Sequence, residues 1–355
     1  MKRISVFLIT IALIAGMVGC GGNGSDPYAD YIKIYNWTDL DNIRNNMEAK
    51  YVLMNDLDST TSGYTELASP TANSGKGWQP IGTMNATFTG TFDGHLYMIK
   101  DLFIDRPAES FVGLFGRVVE GGVIKNIKVV NTRVTGYYNV GGLVGENYGS
   151  VDNSYSTGNV SGDWNVGGLV GENLEGSTVS NSHSGSVVNG NSRVGGLAGC
   201  IHESNVSNSY SSGSINGDGL VGGLVGWNHK GTVSNSYSTD SVTGSIYVGG
   251  LVGENREGTV SNSFSTGNVS GDWNVGGLMG ANNGTVTNSF WDTETSGQST
   301  SAGGTGLNTT QMQDIDTFSG ATWNIIEVAN PCIHNLAYIW NIVDDETYPF
   351  LSWLP

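Results

Sequence analysis

From Val248 the chain reads VGGLVGENREGTVSNSFSTGNVSGDWN, and it then restarts as VGGLMGANNGTVTNSFWD. A valine opens each copy, at Val140, Val166, Val194, Val221, Val248 and Val275, so the period is 26 to 28 residues. A looser copy begins at Phe111 (FVGLFG). A leucine column runs in step through Leu114, Leu143, Leu169, Leu197, Leu224, Leu251 and Leu278. Each copy holds three short β-like pieces: VGGLVG, then TVSNSYS, then a piece around Val160, Val242 or Val269. Gly, Asn, Asp and Ser punctuate the joints. Units this small cannot bury an apolar face alone and must stack on their neighbours. A propeller blade needs about 40 or more residues, so the expected fold is a right-handed parallel β-helix with one repeat per coil. Seven coils at about 4.8 Å each span roughly 30–35 Å.

Two asparagine columns fit that stacking. One is Asn147, Asn173, Asn228, Asn255 and Asn282; the other is Asn126, Asn153, Asn181, Asn208, Asn235, Asn262 and Asn288. Stacked amides can bond along a solenoid as they do in Asn ladders. Glycine serves corners that need positive φ or leave no room for a side chain. An exposed terminal coil invites edge pairing, so caps are expected at both ends. A short helix with Thr38 as N-cap would set Leu40 and Ile43 on one face as a plug, and strands would begin at Tyr51. A second short helix is expected near Thr310–Asp314, with Trp323, Trp340 and Trp353 packing the last coil.

The N-terminus reads as an export signal. Lys2 and Arg3 precede a mostly apolar run from Ile4 to Val18. That run is short for a membrane span, which needs about 20 residues, and suits a signal peptide. It ends in Met17-Val18-Gly19-Cys20, which resembles a lipoprotein lipobox with Cys20 as the lipidated residue; Met17 departs from the usual leucine. An ordinary signal peptide with a chance cysteine is the alternative. The organisation expected is a signal peptide over 1–19, a lipidated cysteine and flexible tether over 20–27, an N-terminal cap and first coils over 28–110, the repeat solenoid over 111–292 and a C-terminal cap over 293–355. Loss of 1–19 leaves 13 basic and 32 acidic residues, a net charge of −19. Such a chain does not bind nucleic acid or anionic lipid by bulk electrostatics. Its membrane contact would be the lipid anchor alone. Cys200 and Cys332 are not expected to pair, because a bridge would need the C-terminal segment to fold back.

The string Gly-Leu-(apolar)-Gly, a turn and N-S-Y-S-T-G resembles the GLUG motif repeat of bacterial and archaeal surface proteins. It stands at Gly142–Gly145, Gly168–Gly171, Gly196–Gly199, Gly223–Gly226, Gly250–Gly253 and Gly277–Gly280. The flanks are similar too, at Trp78–Gly82, Phe88–Gly94, Phe290–Gly297 and Tyr348–Leu351. The resemblance implies a scaffold, found in adhesin-like proteins and beside the protease domain of some immunoglobulin A1 proteases.

One column, Tyr155, His183, Tyr210, Tyr237, Phe264 and Phe290, places aromatics at coil spacing. In the first copy Ile127 and Val129 align with serines and Lys128 with Tyr155. Strand alternation therefore turns the rings outward and the serines inward; the opposite register would bury the rings as a stack. An exposed stripe of Tyr155, Tyr210, Tyr237 and Phe264, joined by Trp164, Trp227 and Trp273 at corners, is the candidate ligand surface. No catalytic set emerges. His202-Glu203-Ser204-Asn205-Val206 lacks the second histidine of H-E-x-x-H, and no Gly-x-Ser-x-Gly elbow is present. The column Glu146, Glu172, Cys200, Trp227, Glu254, Ala281 is interrupted where a carboxylate site would need continuity. No metal and no cofactor are expected. The expected role is that of a lipid-anchored surface protein that binds an extended polysaccharide or another surface protein. A carbohydrate-active β-helix enzyme and a passive envelope spacer are the alternatives.

Overall fold

The computed structural model describes residues 26–354. The expected signal peptide and Cys20 lie outside them. Of the described residues, 26–30 belong to one unit, and a second unit, from Tyr31 onward, holds the repeats.

Nearly every strand pairs in parallel with the strand one repeat away, so the chain is a parallel β-solenoid. The first face carries ten strands, from Ile32–Ile34 through Lys50–Leu53 and Thr91–Asp93 to Thr285–Thr287. The second carries seven, from Phe115–Val118 to Met279–Asn282. The third is the broadest and bends mid-strand; in one coil it is a single 13-residue strand, His183–Gly195. The solenoid starts at Ile32, upstream of the expected Tyr51, because Ile32–Ile34 pairs in register with Tyr51–Leu53. Nine spacings of about 4.8 Å give the first face a length of about 43 Å.

The interior is a set of apolar columns. Val151, Val179, Val206, Val233 and Val260 fill the first face, and Leu143 through Leu278 fill a corner, all fully buried. The first helix spans Trp37–Asp41, and its N-cap is Asn36, whose side chain accepts from Asp39 N–H. Thr38 is therefore inside the helix, because Asn36 supplies the capping oxygen two residues before it. Leu40 and Ile43 do join the solenoid core, together with Trp37.

The corners are made by asparagine more than by glycine. Asn126, Asn153, Asn181, Asn208, Asn235, Asn262 and Asn288 all hold left-handed φ of 44° to 55°. Asn tolerates that region better than other residues with a Cβ. Further along this column the amide bonds lengthen, to 3.4 Å for Asn208 to Asn181 and 3.5 Å for Asn262 to Asn235. The other column is the ladder: Asn147 donates to Asn173, Asn228 to Asn255 and Asn255 to Asn282, at 2.6–2.8 Å. Ile201 interrupts it. Glycine answers to space. A Cβ on Gly196 would lie 2.1 Å from the Gly223 carbonyl oxygen of the next coil.

A serine ladder accompanies each asparagine corner. The amides of Ser154, Ser182, Ser209, Ser236 and Ser263 each donate to the serine hydroxyl one coil on, at 3.1–3.3 Å. Those hydroxyls in turn donate to the carbonyl two residues back.

The C-terminal segment does not stop at the last coil, which residues 300–305 cover by bonding to Gly277, Met279 and Ser289. After a capping-box helix at Thr309–Met312 and a helix at Ile315–Gly320, it turns back along the flank of the third face. Trp353 donates to the carbonyl of Asn208, three coils away from the solenoid's end. The segment thus folds back, yet Cys200 is buried and Cys332 exposed, both as free thiols.

Candidate functional site

The aromatic column forms in register, one ring per coil. Successive ring centroids lie 4.1 Å (Tyr155–His183), 4.6 Å (His183–Tyr210), 4.9 Å (Tyr210–Tyr237) and 5.0 Å (Tyr237–Phe264) apart, within 26° of parallel. Ser156, Ser184, Ser211, Ser238 and Ser265, the next residues along, are buried. The rings therefore point away from the solenoid interior. The expectation of an exposed stripe needs correction, because the returning C-terminal segment covers the far end. Trp323, Trp340, Phe318 and Leu351 pack on Tyr237, Phe264 and Phe290 as a second hydrophobic core. Phe264 is only 1 % exposed and Tyr237 8 %. Tyr155, His183 and Tyr210 stay half-buried at the near end. Burial pushes the Tyr210 hydroxyl up to about 12, and burial with the Lys128 charge holds His183 down at about 4.

Trp164 and Trp273 sit elsewhere, beyond the bend of the third face. Their column reads Tyr138, Trp164, Ser192, Gly219, Ile246, Trp273. Trp273 is 70 % exposed, and Trp164 stacks parallel to Tyr138 at 5.9 Å. Beside this column the bend opens a shallow groove of about 660 Å³. Its floor is Gly190, Gly217, Gly244 and Gly271. A Cβ on Gly217 would point inward, 2.8 Å from the buried Val194 Cγ2, so crowding inside the solenoid requires glycine and the floor is bare backbone. Asn189, Asn216, Thr243 and Ser270 line one bank, and Asp218, Ser245 and Asp272 the other. Neighbouring bank residues bond along the solenoid: Asn216 Nδ2 to Asn189 Oδ1 at 3.3 Å, and Thr243 Oγ1 with Ser270 Oγ at 3.1 Å.

Trp227 joins neither aromatic set. It lies on the second face, covered by the Arg193 guanidinium 4.2 Å above its ring and stacked on His229 at 4.7 Å. It shares that column with Glu146 and Glu172, which the structure does bring together. Asn139 Nδ2 donates to Glu146 Oε1 at 3.1 Å and to Glu172 Oε2 at 2.8 Å, and Arg117 pairs with Glu146. Burial raises the Glu146 carboxyl, with Arg117 opposing. Glu146 is 5 % exposed and its oxygens are engaged, so the pair braces adjacent coils instead of facing a substrate. The bridge is hidden in the sequence because Asn139 lies on a different face of the coil. Among the described residues no cluster of His, Cys, Asp and Glu has the makings of a metal site.

The coil that repeats this arrangement matches a known family model, described as the GLUG motif, at residues 136–161, 190–216, 217–243 and 244–270. Four of the coils are GLUG repeats. A protein provisionally named a Gly-rich membrane protein, from Evansella cellulosilytica, is 34% identical over 143 residues. Halomucin from Haloquadratum walsbyi is 36% identical over 147 residues. The matches take in 38% and 39% of this chain but 15% and 2% of those relatives, so the chain corresponds to a small part of either. A solved structure provisionally named an immunoglobulin A1 protease, from Bacteroides ovatus, aligns with a TM-score of 0.56 at 21% identity, over 94% of this chain and 95% of its own. That likeness is one of fold. The matched coils carry most of the groove lining and Tyr155, while Lys128 and His183 lie outside them. Among the described residues no helix is long and apolar enough to cross a membrane.

Proposed function

We propose that the protein is a cell-surface binding protein, held by a lipid on Cys20, that takes an extended polysaccharide along the bend groove without cleaving it. The groove carries this reading. It offers hydroxyls, amides and carboxylates at the same place in four successive coils, with the exposed indole of Trp273 at its border. Bare backbone on the floor lets a flat chain approach closely. Indole faces suit the apolar C–H faces of sugar rings, and amide and carboxylate groups suit their hydroxyls. Catalysis needs unlike groups that converge on one point, whereas this surface repeats like groups along a line. The names of the similar proteins, a membrane protein and a halomucin, support a place on the cell envelope.

The test is an array of surface and plant polysaccharides probed with the full-length protein, with reducing ends assayed in the same wells. Retention on at least one polysaccharide without new reducing ends is expected. The Trp164→Ala, Trp273→Ala double variant should lose most of that retention while keeping its circular dichroism spectrum. New reducing ends would replace the reading with a glycosidase or lyase, and retention untouched by the double variant would move the ligand off this groove.

A further inference from the structure

The ring stack has an open end. Its register column runs Met98, Lys128, Tyr155, His183, Tyr210, Tyr237, Phe264, Phe290. From Tyr155 onward each coil supplies a ring, but the coil before Tyr155 supplies Lys128. One face of the Tyr155 ring stacks on His183 at 4.1 Å; its other face looks toward the coil of Lys128, where the column has no ring. A cavity of about 220 Å³ occupies this place, lined by Tyr155, His183, Trp353, Leu96, Lys128 and Asn181, among others. Its volume is below the roughly 300–1,000 Å³ of pockets that take drug-sized ligands, so it has room for about one ring.

One wall is fixed in place. Trp353 is tied by its indole N–H to the Asn208 carbonyl at 3.1 Å and tilts against His183 at 6.1 Å. Leu96, 60 % exposed, also lines the cavity. Lys128 is exposed and makes no ion pair among the described residues, in a chain whose 32 acidic residues outnumber its 15 basic ones. His183, held neutral by burial, competes for no anion.

We infer that this pocket binds a single acidic sugar ring, a pyranose that carries a carboxylate, stacked on the open face of Tyr155 with its carboxylate on Lys128. The ring extends the aromatic column by one member. Asn153 and Asn181 also line the pocket; their Nδ2 groups donate to Asn126 and Asp152, which leaves one amide hydrogen on each for the sugar's hydroxyls. This site is separate from the bend groove and shares no residue with it.

Isothermal titration of the full-length protein with a trigalacturonate and with its methyl ester tests the inference. Saturable binding of the acid is expected, with the ester weaker by about tenfold, the loss of one charge-assisted hydrogen bond. Lys128→Gln should reduce the preference for the acid to near unity, and Tyr155→Ala should remove binding of both. The Trp164→Ala, Trp273→Ala variant should bind the trimer as the parent does. Equal affinity for acid and ester, no saturable binding, or a trimer whose affinity follows the bend-groove variant would each overturn the inference. The last of these would leave the groove reading standing while removing this one.

Discussion

At the scale of single residues, Asp240 is the outlier of the repeat. Its neighbours in the flanking coils are Gly213 and Gly267, and here a carboxylate is fully buried. Ser238 Oγ donates to Oδ2 at 2.9 Å, and the Gly213 amide donates to Oδ1. These bonds favour the ionised form, but burial outweighs them and pushes the carboxyl up to about 7. In the unfolded chain an Asp titrates near 3.9. Between about pH 4 and 7 the folded state therefore holds a proton that the unfolded state has lost. Stability is greatest below that window and falls as pH rises through it. The full loss, about three pH units, is roughly 4 kcal/mol. Asp240→Asn removes the titration. Urea midpoints should show the variant gaining on the parent steadily from pH 4 to 7 and holding a constant lead above. A lead that does not change with pH would mean that Asp240 is ionised throughout.

Among the elements, the turn between the first and third faces holds the most regular chemistry. The N-S-(Tyr/Phe)-S string puts Asn in the left-handed corner, the first serine into a hydroxyl-to-amide ladder, the ring outside and the second serine inside. Ser236→Ala would leave the Ser209 amide, bonded at 3.2 Å, without its acceptor in a buried place. A loss of about 1–3 kcal/mol is expected, together with faster hydrogen exchange at Ser209; unchanged exchange at that amide would deny the ladder its role. The period, the parallel stacking and the outward register of the rings are legible in the sequence, because each depends on spacing along one repeat. The serine ladder is not, since serine in a Gly- and Asn-rich repeat looks like solvated turn chemistry until the coils are stacked. Nor is the cover over Tyr237 and Phe264. Trp323, Trp340 and Trp353 announce a buried apolar surface, but no local pattern says whether that surface is the solenoid's end or its flank. Trp227 departs from the expected stripe for a related reason, as its cover, Arg193, comes from another face of the coil.

At the scale of the whole molecule, the fold is a ruler. Parallel stacking repeats every outward group at about 4.8 Å, so any site built from the repeat is drawn out along the axis. The returning C-terminal segment uses up much of one such line, the ring stack, and leaves the bend groove as the long open one. Four spacings separate Trp164 from Trp273 in their register column, which places them about 19 Å apart along the axis. A ligand that lies in this groove gains one more set of like contacts for each coil it crosses. Successive contacts on one chain add as linked binding events until the surface runs out. For the polysaccharide that the array identifies, affinity measured on purified oligomers of rising length should climb and then level off once the oligomer spans about 19 Å. Trp273→Ala should shorten the climb from one end without changing the affinity of the shortest oligomers that bind near Trp164. An affinity independent of length would indicate a ring-sized site instead, and among the exposed features that site is the pocket at Tyr155.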